Sequence, residues 1–355
     1  MTNLSSHKAV LFVSQTGRVQ QPYMDPSTRY RCHNFACALS KRDFLTSVTS
    51  QEEFTENISK YEYFETIVFH RPQLNETLAE YLHQVKDKKR LIADFDDYIF
   101  NVEDAWQIPI YRFRNLSITQ TAKIMAQNAA AAQYFRRFSL STASLADAVR
   151  KQFSCDQVQV IHNGLDASFL GVSQIIRERM ANTKRPYRFG YFSGTATHDA
   201  DFAHVALALV AAMKADKESR LLVLGPAKVP HELLQFGVRV EHRQAVVPFH
   251  TLPSVMAQVE TVLAPLEQNT FTWCKSGLKF FEAAAVGCSV VATPIPDIDR
   301  FQSPLLRKCV TSEDWMDALL TPFDLDELQK EQEIRRIMDM VSVDRIILDW
   351  EAAFA

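Results

Sequence analysis

Between Ala264 and Arg300 the chain reads APLEQNTFTWCKSGLKFFEAAAVGCSVVATPIPDIDR, and Lys275, Lys279 and Glu282 follow one another at spacings of four and three residues. On one helix those spacings bring all three charges onto one face. The apolar run TVLAPL leads in, Gly287 stops the helix-like block KSGLKFFEAAAV, SVVAT reads as a short buried strand, and TPIPD reads as a turn. Leu278, Phe281 and Ala285 fall on a second face that would pack on a sheet. The first turn of such a helix has free backbone N–H groups. Two ammonium groups beside them suit a diphosphate, and a carboxylate further on can accept hydrogen bonds from ribose hydroxyls. The residues expected to meet a nucleotide are therefore Lys275, Ser276, Gly277, Leu278, Lys279 and Glu282. A surface helix with a solvated ion pair would share the spacing.

A second ionisable group lies in LIADFDDYIF, residues 91–100, where a strand-like run breaks into Asp94, Asp96 and Asp97. Acids two apart on a strand point the same way, so Asp94 and Asp96 could hold a divalent metal under a nucleotide sugar, as in a metal-dependent GT-A transferase. The run also has the outline of a haloacid-dehalogenase phosphatase loop, but Tyr98 stands where that loop carries Thr or Val. A metal site here would put the donor in the first half of the chain, far from Glu282. The reading adopted has Asp96 or Asp97 orient or deprotonate an acceptor hydroxyl. Lys275, beside the free amides of the helix start, could stabilise charge on a departing diphosphate.

Other polar residues fall where strands end. Arg29, Tyr30 and Arg31 sit at a loop-to-helix junction, His70 and Arg71 follow one strand, and Ser193-Gly194-Thr195 follow another, ahead of His198, Asp199 and Asp201. Small residues between strand and helix let backbone approach a phosphate, so Ser193, Gly194 and Thr195 join the nucleotide-binding set. Arg243 ends the strand-like VRVEHR and is a third candidate, with Lys275 and Lys279, for neutralising a diphosphate.

Such groups need a scaffold that gathers strand ends, and the rest of the chain has its pattern. KAVLFVS, YFETIVFHRP, LIADF, DQVQV, RFGYF, RLLVL, VRVEHR, TVLAPL and SVVAT are short apolar or strand-like runs. Between them lie helical blocks such as NETLAEYLHQVKDKKR, SITQTAKIMAQNAAAAQYFRRF and FAHVALALVAAMKA. The alternation places the chain in the α/β class, with two Rossmann-like, doubly wound domains facing a cleft. The polar stretch DASFLGVSQIIRERMANTKRP would connect them.

With 355 residues, 47% of them hydrophobic, the chain is long enough for two cores. Lys and Arg number 39 against 42 Asp and Glu, and no dense basic stripe occurs, which argues against a nucleic-acid partner. The first half is slightly basic, which suits peripheral contact with an anionic lipid surface. The six cysteines have no CxxC pair and no metal spacing, as expected of reduced thiols. No apolar run reaches spanning length, and MTNLSSHKAVLFVSQ lacks a signal-peptide core. The expected location is cytoplasmic, with peripheral contact at the inner membrane face.

The segment from 264 to 300 resembles the donor-binding helix of the GT-B glycosyltransferases of family 4 (group 1). Their pattern is Glu, seven residues, a second Glu, a small-residue helix, Gly and a Val-Val-Ala-Thr strand. Glu282, AAAVG and SVVAT match it, Cys274 stands at the first Glu, and Lys275-Ser276 with Lys279 resembles a Lys-Ser-x-x-Lys version. DQVQVIHNGLD is similar to the family's Ile-Pro-Asn-Gly-Val-Asp, with His162 in place of Pro and with Asn163 and Gly164 matching. DPSTRYR resembles a loop of some bacterial members, without the Gly-Gly pair common there. The Arg and Lys that many members carry after their first donor-domain loop are absent.

The resemblance implies a hexosyltransferase-type enzyme that moves sugar from a nucleotide diphosphate sugar to a glycan or lipid-linked acceptor. It further implies retention of configuration, no metal, and a role in bacterial polysaccharide or glycolipid assembly. The implied division is an acceptor-side domain over 1–168, a nucleotide-sugar domain over 169–335, and a terminal helix over 336–355 returning to the first domain through Trp350. Cys274 and the missing Arg and Lys also permit a catalytically idle sugar-nucleotide-binding partner of another transferase.

Overall fold

The computed structural model describes residues 8–108, 116–181, 183–195, 197 and 199–354; His198 falls outside them. Six parallel strands make the first sheet: β1 (Ala9–Ser14), β2 (Leu45–Ser50), β3 (Thr66–His70), β4 (Arg90–Phe95), β5 (Arg137–Leu140) and β6 (Gln157–Val160). Their spatial order is β2-β1-β3-β4-β5-β6. The second sheet contains β7 (Tyr187–Phe192), β8 (Leu221–Leu224), β9 (Val240–Arg243), β10 (Val259–Ala264), β11 (Ser289–Ala292) and β12 (Leu306–Lys308). It is ordered β12-β11-β10-β7-β8-β9, and every pairing is parallel. This is the expected α/β architecture of two doubly wound domains. Central strands such as β1 and β8 are buried along their whole length, as parallel strands covered on both faces must be. Strand order reverses between β1 and β3 and again between β7 and β10. Beyond the carboxyl ends at such reversals lies the crevice that α/β sheets use for ligands.

Several elements differ from the sequence reading. β2 and β12 escape it because both are edge strands, and LTSVTS and LRK have no continuous apolar run; β5 takes Arg137 and Phe138 from the block read as helix through Phe138, in which the helix ends at Ala132. The stretch expected to be a polar connection is a helix, Ala167–Met180, whose first turn is capped by the Asp166 carboxylate accepting from the Phe169 N–H at 2.7 Å. The helix expected to meet the nucleotide begins at Leu278 and not at Lys275. Asn269 caps a separate short turn, Thr270–Trp273, and Lys275 and Ser276 lie in the link between the two. Lys275 therefore does not share a helical face with Lys279 and Glu282. Phe281 and Ala285 do pack into the second core, beside Val262, Val290 and Phe301.

The helix Glu327–Val341 buries Ile334, Ile337 and Val341 in that second core. The helix Val343–Phe354 instead packs Ile347 and Trp350 against Val10, Phe12 and Phe35 of the first sheet. No described helix is long and apolar enough to cross a membrane.

At the end of β8, Gly225 has φ +100°, and a Cβ there would lie 1.7 Å from the Ser193 carbonyl oxygen. Only glycine satisfies both the angle and the contact, so this position holds the Ser193–Thr195 loop against its neighbour strand. Gly194, one residue into that loop, has nothing within 4 Å of an added Cβ. Gly225→Ala should destabilise the chain by about 2 kcal/mol or more, while Gly194→Ala stays within about 0.5–1 kcal/mol of wild type, as read by thermal or urea unfolding. Equal effects of the two would contradict this account.

Candidate functional site

The first wall of the cleft is built at the ends of β3 and β4. Asp94, the last residue but one of β4, is buried and receives a two-pronged ion pair from Arg31, Nε to Oδ1 at 2.9 Å and Nη2 to Oδ2 at 2.7 Å. Asp96 lies just past the strand, where its Oδ1 accepts from Arg71 Nε at 2.5 Å and lies 3.0 Å from His70 Nε2. Burial would raise the Asp96 carboxyl, but Arg71 and His70 outweigh it and hold it well below the usual carboxylate range. The other prong of Arg71, Nη2, donates to Asp97 Oδ2 at 2.6 Å. Arg71 has φ +52°, which a non-glycine residue adopts only when its surroundings compel it. Asp94 and Asp96, the pair considered for a metal, are thus each committed to an arginine.

The second wall is the link and helix after β10. Lys275 crosses the gap, its Nζ 2.6 Å from Asp97 Oδ1 and 4.3 Å from the Phe271 ring centroid. Ser276 Oγ accepts from Asn163 Nδ2 at 3.0 Å, and the Gly277 N–H donates to Asp297 Oδ2 at 2.7 Å. That amide is therefore satisfied within the protein. Lys279 Nζ is buried without a hydrogen-bond partner, 5.4 Å from the Tyr191 ring centroid. Burial pushes its pKa down, opposed by Asp201 and Glu282. Glu282, 7% exposed, accepts a hydrogen bond from the Tyr30 hydroxyl of the first domain. Burial pushes its carboxyl up to about 7 in spite of Tyr30 and Lys279.

Between the walls lies a cavity of about 210 Å³. Arg71, Asp96 and Asp97 line it from one side, and Lys275, Ser276, Gly277, Leu278 and Lys279 from the other. Other hollows are larger: one of about 600 Å³ beside Tyr98, Asp147 and Trp273, one of about 380 Å³ beside Arg42 and Glu351, and two, of about 760 and 620 Å³, against the amino ends of the second sheet around Arg185 and Glu260. The last two are on the side away from the strand carboxyl ends, and Arg185 there is spent on the carbonyls of Val259 and Val286. The cleft cavity is the better candidate because its charges come from both domains and converge.

Not every expected residue reaches it. Glu282 sits behind the lining, against Tyr30. Ser193, Gly194 and Thr195 are at the end of β7 but outside the lining, and Ser193 Oγ donates to the Thr195 carbonyl at 2.5 Å. Arg243 turns onto Glu241, Tyr187 and Gln258, with Nε 2.8 Å from Glu241 Oε1. Cys274, at the position of the first family Glu, is buried in the first domain's core, which raises its thiol to about 12. Sequence reasoning passed over Arg71 and Asp297 as site residues. Arg71 was visible at a strand end, but its turned backbone and its fork over two acids were not.

No family model matches the chain, and no curated protein matches it by sequence. Solved structures do match over nearly the whole length. Anabaena HepE in complex with UDP and glucose superposes with a TM-score of 0.60 at 13% identity, covering 98% of this chain and 99% of that one. Sucrose-phosphate synthase from Thermosynechococcus elongatus gives 0.63 at 12% identity, with 98% of each chain covered. A UDP-forming alpha,alpha-trehalose-phosphate synthase from Burkholderia xenovorans, in complex with glucose-6-phosphate, gives 0.63 at 9% identity, covering 97% and 98%. These likenesses establish the fold: two Rossmann-like domains facing a cleft, the GT-B arrangement.

The buried Glu282 carboxyl has a consequence for stability. Its folded pKa of about 7 lies above its ordinary 4.5, so as pH rises between these values the unfolded chain releases a proton that the folded chain retains. Folding stability contributed by this group therefore falls across that window, by about 3 kcal/mol at most. Glu282→Gln should remove the slope, so the variant gains on wild type from pH 5 to pH 8 in urea unfolding. A difference that stays constant with pH would refute the assignment.

Proposed function

We propose that the chain is a glycosyltransferase that takes its sugar from a nucleotide diphosphate donor, with UDP the first nucleotide to test. The observation that carries this is the Lys279 ammonium, buried at the head of a helix on the cleft wall without a hydrogen-bond partner, with Asp201 and Glu282 acting on it only through space. An unpaired charge costs free energy to bury unless something else is served by keeping it there. An anion entering the cleft supplies the missing partner, and the helix N-terminus adds its own favourable field. The GT-B fold, and the UDP held by HepE in that fold, favour a nucleotide diphosphate as the anion.

In this reading the second domain, which includes the helix Glu327–Val341, binds the donor and the first domain the acceptor, with the helix Val343–Phe354, and not the whole of 336–355, fastened to the first domain. Lys275, Lys279 and the free amides of Leu278 and Lys279 hold the diphosphate and stabilise the charge that develops as it leaves. Glu282 holds the ribose. Asp97 is the acceptor-side group, because Asp96 is held too acidic by Arg71 and His70 to take a proton. The two lysines supply the cations a leaving diphosphate requires, so the reaction is read as metal-free. Retention of configuration and a glycan or lipid-linked acceptor in bacterial polysaccharide or glycolipid assembly complete the proposal. The buried Cys274 favours one alternative, a sugar-nucleotide-binding partner without transferase activity, since it offers no polar group to the sugar.

A thermal-shift panel of UDP, GDP, dTDP, ADP and CMP tests donor binding. A nucleotide at 100 times its Kd should add about 2.7 kcal/mol of stability. Lys279→Met should raise the melting temperature of the free protein, because a lone buried charge is removed, and should weaken nucleotide binding by about tenfold or more. A Lys279→Met variant with neither a higher melting temperature nor a weaker nucleotide affinity, or no shift with any nucleotide, would end the proposal. Transfer or hydrolysis of a UDP-sugar that survives a chelator and disappears in Glu282→Ala separates the enzyme from the idle partner.

A further inference from the structure

Several polar groups on the second domain's side of the cleft are met by the first domain, Ser276 by Asn163 and, of most consequence here, Lys275 and Glu282. Lys275 Nζ meets Asp97 Oδ1 at 2.6 Å. Glu282 receives the Tyr30 hydroxyl. Both contacts have the chemistry expected of the donor: an anionic oxygen on an ammonium, and a hydroxyl donating to a carboxylate. Lys279, by contrast, has no hydrogen-bond partner. Tyr30 is 3% exposed, and its ring stands edge-on to Phe249 of the second domain at 5.7 Å, so the contact is a packed one. Asp97 is likewise held from behind by Arg71 Nη2 at 2.6 Å.

The volume of the cavity decides what these contacts mean. About 210 Å³ is below the roughly 300–1,000 Å³ that small-molecule sites occupy, and Glu282 does not open onto it at all. A nucleotide sugar cannot reach Lys275 and Glu282 together while Asp97 and Tyr30 remain on them. We infer that Tyr30 and Asp97 are built-in surrogates for the donor, the Tyr30 hydroxyl on Glu282 in place of a ribose hydroxyl and the Asp97 carboxylate on Lys275 in place of a phosphate. Donor binding must then part the two domains at these points. Taking Lys275 from Asp97 leaves that carboxylate with Arg71 alone, so the donor's arrival releases the group that faces the acceptor. This inference rests on the proposed donor site and adds to it two contacts that the donor must displace.

The consequence is a reduced apparent affinity, because the protein binds donor only in the fraction of molecules whose contacts are open. Isothermal titration of UDP into the full chain and into Tyr30→Phe and Asp97→Asn is the test. Tyr30→Phe keeps the ring on Phe249 and removes only the hydroxyl, so it is expected to fold. Its UDP affinity should rise about tenfold. Asp97→Asn should also bind UDP more tightly while losing transfer to acceptor, a combination that a purely structural ion pair would not produce. Small-angle scattering of both variants without nucleotide should give a larger radius of gyration than wild type. UDP binding that is equal in all three proteins, or weaker in the variants, overturns the surrogate role but leaves the donor site standing. No UDP binding by any of them removes the donor site and this inference together.

Discussion

A lysine ammonium taken out of water either finds a counter-charge or gives up free energy, and Lys279 has found no hydrogen-bonding partner. Much of the cleft is arranged around that deficit. Glu282, three residues on in the same helix, would be the obvious partner, but its carboxyl is itself buried and occupied by Tyr30. Asp201 supplies attraction, and Lys275 adds repulsion. The helix N-terminus beside Lys279 makes the region more positive still. A folded chain of marginal stability keeps such an arrangement only where it serves something other than stability.

The two sheets explain why the charge is there. Every strand in them runs parallel, so each sheet delivers its loops to one end and its apolar residues to the middle. Putting two such ends face to face brings together residues nearly two hundred positions apart, such as Asp97 and Lys275. The cost is that acids and bases meet in a space water enters poorly, and the chain answers with forks. Arg31 takes both oxygens of Asp94, and Arg71 bridges Asp96 and Asp97. Arg71 accepts an unfavourable backbone angle to do so.

These forks also sort three neighbouring acids into different roles. Asp94 is sealed beneath the surface and holds Arg31 against the carboxyl end of the first sheet. Asp96 is pinned from two sides and stays ionised. Asp97 shares its oxygens between the two domains, which makes it the acid whose surroundings change if the domains move. Nothing in the order Asp-Phe-Asp-Asp distinguishes them, because the distinction lies in which cation reaches each one.

The sequence by itself determined the class of fold, since short buried strands alternating with helical blocks can bury their apolar residues only as covered parallel sheets. It also brought forward four residues that line the cleft cavity, Asp96 and Asp97 from charge at the end of an apolar run and Lys275 and Lys279 from their spacing with Glu282. Local hydrophobic period carries that information, and local period ends at the loop. Where the donor helix starts was decided by tertiary contacts, Asn269 capping one turn and Asp297 taking the Gly277 amide from twenty residues away. Tertiary structure alone decided that Cys274 is buried in the other domain's core and that Tyr30 reaches Glu282 across 252 residues. Those outcomes depend on how two sheets meet, and a pairing between distant loops leaves no periodic trace in either of them.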